Sequence, residues 1–175
     1  MPALTEDKEG RRDWRIGLIT VPLIVGLGIL SGRASGSGYG NDWFDALVKP
    51  PFMPPGWAFG AAWTTLYAFM GIALALILMQ PRSDRRRNAL MLFFAQLAVN
   101  YAWSPIFFAA HDIQLALITI FVMLALAAAT LRQFWSLRRL AGALLIPYLA
   151  WLCFAAALTA SINRLNPGAG SPLFG

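Results

Sequence analysis

The chain has 175 residues, 58% hydrophobic and only 13% charged; a soluble domain carries about 25% charged residues, so lipid rather than water is the expected solvent. The net charge of +6 lies in short basic clusters between apolar runs, which fits membrane topology and speaks against nucleic acid as a partner. A single cysteine, Cys153, excludes a disulfide within the chain, and no residue spacing matches a metal site.

Residues 1–15 form a polar extension of mixed charge, expected to be disordered or interfacial, with Trp14 suited to the headgroup layer. Residues 16–31 are the first apolar run, short against the ~20 residues usual for a span. A basic start and a short run ending at Gly32, Arg33 and Ala34 also fit a signal peptide. Gly28 and Gly32 make a GxxxG helix-packing pattern. Residues 32–56 are a long loop in which residues 41–47 read as a short helix, capped by Asp42 and stopped by Pro50. A loop of this length, with its own helix and the aromatics Trp43 and Phe44, reads as a lid.

The loop ends in the proline-rich run Lys49, Pro50, Pro51, Phe52, Met53, Pro54, Pro55, and the second span follows over 57–79. Gly60, Trp63, Tyr67 and Gly71 share one helical arc, as either a packing seam or the wall of an aromatic pocket. A basic turn with Arg82, Arg85, Arg86 and Arg87 leads to the third span at 89–109. The two-residue turn His111–Asp112 leads to the fourth at 113–131, and a basic turn over 132–139 leads to the fifth at 140–162. The domain therefore covers 16–164, and 165–175 is expected to be a flexible tail.

Five spans place the termini on opposite sides of the membrane. One side receives Lys8, Arg11, Arg12, Arg15, Arg82, Arg85, Arg86, Arg87, Arg132, Arg138 and Arg139; the other receives only Arg33, Lys49 and Arg164. The positive-inside rule then predicts a cytoplasmic N-terminus, in a bacterial cell membrane. No Asp, Glu, Lys or Arg falls within a predicted span, which weighs against an ion-coupled pump.

The residues that could carry function lie on three spans. Gln96, Asn100, Trp103 and Phe107 fall within a narrow arc of the third, and the two amides need an interhelical or a ligand partner in hydrocarbon. Tyr148, Trp151, Ala155, Leu158 and Ile162 share a face of the fifth, either as tight packing or as a ligand wall. At about 1.5 Å rise per residue, Trp63, Tyr67, Asn100, Trp103 and Ala155 lie at roughly equal depth in the outer half of the bundle, beneath the long loop. His111 reads as a solvated turn histidine or, less simply, a haem ligand, and Cys153 as a buried thiol.

Three ordered motifs resemble the translocator protein family (TspO/MBR, tryptophan-rich sensory protein). The first runs from Trp43 through Leu47, Val48, Lys49, Pro50, Pro51, Phe52, Met53, Pro54, Pro55, Gly56 and Trp57 to Trp63, Leu66 and Tyr67. The second is Gln96, Leu97, Asn100, Trp103, Ser104, Pro105, Ile106, Phe107 and Phe108; the third is Pro147, Tyr148, Leu149, Ala150 and Trp151, with Arg164, Leu165 and Asn166. The resemblance implies an all-α membrane protein, a five-transmembrane-helix bundle, usually a homodimer, with a pocket under the first loop. It implies porphyrin ligands such as protoporphyrin IX and haem, or other apolar small molecules, with membrane lipid around the protein and no required cofactor.

The positions matching the family's pocket are Trp63, Tyr67, Asn100, Trp103, Trp151 and Ala155, to which the arc of the third span adds Phe107. Trp43, Lys49, Phe52, Trp57 and Arg164 are the expected lid and rim. Pro51, Phe52, Thr159, Ala160 and Asn163 depart from the family's usual residues, and Ala160 replaces the tyrosine of the proposed sterol motif. The implied role is a receptor or carrier regulating tetrapyrrole metabolism or stress signalling. The alternatives are a light-dependent porphyrin-degrading enzyme using Trp63 or Trp151, and a passive transporter. No acid/base pair, nucleophile or metal set supports ordinary catalysis.

Overall fold

A computed structural model describes residues 3–170, with side chains from residue 15 onward. Its helices are α1 (Ala3–Ala34), α2 (Asp42–Ala46), α3 (Gly56–Leu78), α4 (Asp84–Ser104), α5 (Ile113–Leu137), α6 (Arg139–Ala143) and α7 (Ile146–Leu165); among the described residues there is no strand. Five segments are long and apolar enough to cross a membrane: Arg15–Ala34, Gly56–Leu78, Asp84–Ala109, Ile113–Leu137 and Arg139–Leu165. The protein is thus the five-helix membrane bundle expected from its sequence. Leu18, Ile19, Leu23, Leu30, Phe94, Ile118 and Phe121 all point outward. In water each would forgo about 1.5–3 kcal/mol of burial, but hydrocarbon accepts them without penalty.

The helix ends differ from expectation in ways that follow from local chemistry. α1 begins at Ala3, so the polar extension is a helical continuation of the first span; the Trp14 side chain lies outside the described residues. α2 is capped by Asn41, not Asp42: Asn41 has extended backbone and its Oδ1 accepts the Phe44 N–H at 3.0 Å. Asp45 instead accepts the Gly40 N–H at 2.8 Å. α5 continues to Leu137 because no breaker follows Leu131, so Arg132 is helical and the second basic turn contracts to Arg138. A Cβ on Gly142 would come within 2.8 Å of Trp135, so glycine is what lets α6 fold back on α5. The fifth span is broken between α6 and α7, just before Pro147, whose missing N–H leaves the Ala143 carbonyl without its helical donor.

Pro105 has a comparable effect near the end of the third span. It cannot donate to the Tyr101 carbonyl, and Ser31 Oγ of α1 donates there instead at 2.7 Å. The chain then widens into a π-helical turn over Pro105–Ala109, closed by Ala110 N–H to the Pro105 carbonyl at 2.9 Å. This turn swings Phe107 and Phe108 inward, where both are buried.

α1 and α3 pack backbone to backbone. Thr20 Oγ1 donates to the Gly71 carbonyl at 2.8 Å, and a Cβ on Gly71 would lie 2.6 Å from Val21 Cα. The arc Gly60–Trp63–Tyr67–Gly71 therefore divides by depth. Gly71 is a packing seam, and the other three face a cavity.

Candidate functional site

The cavity, about 540 Å³, lies between α1, α3, α4, α5 and α7 beneath the loop that carries α2. Trp63, Tyr67, Asn100, Trp103, Phe107, Trp151 and Ala155, the residues expected from the sequence, all line it. Its floor is a hydrogen-bonded triad. Tyr67 Oη donates to Asn100 Oδ1 at 2.7 Å, and Asn100 Nδ2 donates to Tyr148 Oη at 3.0 Å. Asn100 is only 4% exposed, so both halves of its amide are engaged away from water.

The walls are aromatic. Trp63 stacks on Tyr67 at 5.3 Å between centroids and meets Trp151 edge-on at 6.2 Å. Trp103 stacks on Phe107 at 5.1 Å, and its indole N–H donates to the Ala116 carbonyl of α5 at 3.1 Å. No Asp, Glu, Lys, Arg or His is among the lining residues. The arrangement suits a flat, apolar body that offers a polar group to the Asn100 amide or the Tyr67 phenol.

Several lining residues were not expected at the cavity: Gly28, Ile29 and Gly32 of α1, Ile120 and Met123 of α5, Phe59 of α3, and Tyr39 and Met53 of the loop. The α5 pair carried no signal, being ordinary apolar residues in an apolar helix. Gly28 did carry one, as half of the GxxxG pattern, but its role is internal. A Cβ there would overlap the Tyr67 ring, which is held by Trp63 and Asn100. Gly28 is thus committed within the protomer rather than free for a dimer face. Gly28→Ala should lower stability by about 1–3 kcal/mol, the usual cost of overpacking. Gly60→Ala, where a Cβ meets nothing within 4 Å, should be neutral or slightly stabilising. Melting temperatures in one mild detergent compare the two.

None of the expected lid and rim residues Trp43, Lys49, Phe52, Trp57 and Arg164 lines the cavity, and Trp43 and Lys49 brace the loop. Lys49 Nζ donates to the carbonyls of Phe44, Asp45 and Leu47 at 2.8, 3.1 and 3.2 Å, which engages its three protons at the end of α2. Trp43 stacks on His111 at 4.4 Å, and its indole N–H donates to the Ala169 carbonyl at 2.9 Å. Phe52 packs edge-on against Phe154 at 6.4 Å, whereas Trp57 is 76% exposed. Arg164 points outward at the end of α7.

The described part of the tail is packed against this loop. Asn166 clasps Val48 from both sides, accepting its N–H at 2.7 Å and donating to its carbonyl at 2.9 Å. Asn41 Nδ2 adds a bond to the Phe108 carbonyl at 3.3 Å.

Three other expectations are corrected. His111 is neither freely solvated nor turned toward the cavity, because it adopts a left-handed turn (φ 59°) and stacks on Trp43. Cys153 is exposed on the outward face of α7 rather than buried. Gln96 is 1% exposed, but neither amide atom has a hydrogen-bond partner among the described residues. It lies one turn below Asn100 and does not line the cavity.

The profile of the TspO/MBR family matches residues 18–165. Protein CrtK of Rhodobacter capsulatus is 38% identical over 127 residues, 72% of this chain and 79% of that protein. The human Translocator protein is 37% identical over 148 residues, 83% of this chain and 88% of that one. The Tryptophan-rich sensory protein of Cereibacter sphaeroides is 39% identical over 126 residues, covering 72% and 78% respectively.

Proposed function

Because the chain belongs to the TspO/MBR family, we propose that this integral, multi-pass membrane protein is a receptor or carrier for porphyrins such as protoporphyrin IX and haem, and for related apolar ligands, acting in tetrapyrrole metabolism or stress signalling. The observation that carries this reading is the uncharged cavity of about 540 Å³ walled by Trp63, Trp103 and Trp151 over the Asn100 floor. Each aromatic pair adds about 0.5–1.5 kcal/mol beyond area burial. Neither histidine nor cysteine lines the cavity, so haem would be held by its faces and not by an axial imidazole or thiolate. With Lys49 engaged at the end of α2, Arg33 and Arg164, both exposed at the loop end, are the cations left to meet propionates at the rim, an attraction that salt would weaken.

The reading includes two further proposals. The N-terminus is cytoplasmic, from the basic asymmetry. The protein is a homodimer, using exposed alanines of α4 and α5 such as Ala95, Ala98, Ala102, Ala125 and Ala128.

Protoporphyrin IX should bind at least ~10-fold tighter than cholesterol, about 1.4 kcal/mol, since Ala160 cannot supply the sterol motif's phenol. Trp151→Phe should weaken porphyrin binding more than it lowers the melting temperature. Tryptophan-fluorescence titrations of both ligands in one detergent test this, and equal or tighter sterol binding contradicts it. The edge-on contact of Trp63 and Trp151 favours one second reading, light-driven porphyrin breakdown through a redox-active indole. Under illumination, a porphyrin spectrum that decays to a new product with more than one turnover supports the enzyme; quenching without turnover supports the receptor.

A further inference from the structure

A second apolar recess lies on the outside of the bundle, between α3 and α7. It is formed by Ala61, Thr65 and Phe69 on one side and Pro147 and Ala150 on the other, and it ends on Trp151 and Phe154. Those two rings also line the inner cavity. The same pair of side chains therefore faces the bilayer on one side and the ligand cavity on the other. The α3–α7 seam differs from its neighbours in construction. α1 and α3 are locked by backbone contact at Gly71 and by the Thr20 hydrogen bond, whereas α3 and α7 make no extensive backbone contact along their length.

Rings bridge the seam: Phe59 to Trp151 at 6.0 Å and Trp63 to Trp151 at 6.2 Å, while Trp151 and Phe154, both on α7, lie 5.4 Å apart. Rotating a side chain is a far smaller rearrangement than parting two packed helices. The route from above is the more obstructed one, since the loop is clasped by Asn166, Trp43 and Asn41.

We infer that the α3–α7 recess is the portal through which the cavity's apolar ligand arrives from the bilayer, with Trp151 and Phe154 as its gate. The inference rests on the cavity being an apolar-ligand site. The recess has the chemistry of an antechamber for such a ligand. Its small residues Ala61, Thr65 and Ala150 leave width at lipid depth, and Thr65 Oγ1 is satisfied by the Ala61 carbonyl at 2.9 Å, so no polar group must be stripped as a ring slides past.

The test uses the full chain in lipid nanodiscs, mixed by stopped flow with protoporphyrin IX preloaded in vesicles. Thr65→Leu with Ala150→Phe fills the recess without replacing a residue that lines the cavity. Association and dissociation should both slow by about 10-fold while Kd changes by less than about 3-fold, because obstructing a route alters both rates alike. Ala150→Leu alone serves if the double variant does not fold. Asn166→Ala, which unclasps the loop, should leave the rates near wild type.

Unchanged rates in the recess variants overturn the portal. So does faster association in Asn166→Ala, which would place the route under the loop. A loss of equilibrium affinity in the recess variants also overturns it, since the recess would then belong to the binding site. Absence of saturable binding to the wild type overturns the cavity reading itself, a result distinct from all of these.

Discussion

Replacing Asn100 with leucine should be among the most damaging single changes in the bundle. The amide is the acceptor for Tyr67 Oη and the donor to Tyr148 Oη, and all three residues are buried. A buried polar group stripped of its partner costs about 1–3 kcal/mol. Two phenols are stranded together, and Tyr148 keeps only a weak contact to Met123 sulfur at 4.0 Å. The expected loss is therefore about 2–4 kcal/mol after leucine's own burial is counted, a large share of the 5–15 kcal/mol that holds a typical domain.

Tyr67→Phe and Tyr148→Phe should each cost less, since each leaves only half of one amide unpaired. Combining either with Asn100→Leu should recover part of the loss, as expected for residues in one network. Melting temperatures of the singles and doubles decide it. An Asn100→Leu variant that melts with wild type would mean that the triad holds nothing together.

Spans, loop and pocket arc were legible because each rests on a strong local signal. The spans come from the scarcity of charge, and the cavity face from aromatics at helical spacing on α3, α4 and α7. What was not legible depends on which helix stands opposite which. Gly28 reads as a generic packing glycine until Tyr67 is placed against it, and Ile120 and Met123 become cavity residues only because α5 closes the back. Lys49 shows the same limit for charge. Its position suggested a rim cation, but its ammonium is turned back onto three carbonyls of its own loop. Asn166 lay in a stretch whose composition suggested disorder, yet one side chain with a donor and an acceptor suffices to clasp the Val48 backbone. Gln96 was expected to find a partner because an unpaired amide is expensive, and it has none among the described residues.

Ala155 offers the other large effect. It lines the cavity, to which its side chain contributes only a methyl group. Ala155→Trp should fill that space and remove the room a porphyrin plane needs. Affinity should fall by at least ~100-fold, about 2.7 kcal/mol, while the melting temperature stays near wild type or rises, since filling a cavity restores dispersion contacts. This substitution separates occupancy of the cavity from every other way a porphyrin could adhere to a membrane protein. The decisive measurement is tryptophan-fluorescence quenching by protoporphyrin IX for wild type and Ala155→Trp side by side in one detergent. Saturable quenching in the wild type that is lost in a folded Ala155→Trp protein is the predicted result. Equal, saturable quenching in both would contradict the assignment of this cavity as the binding site.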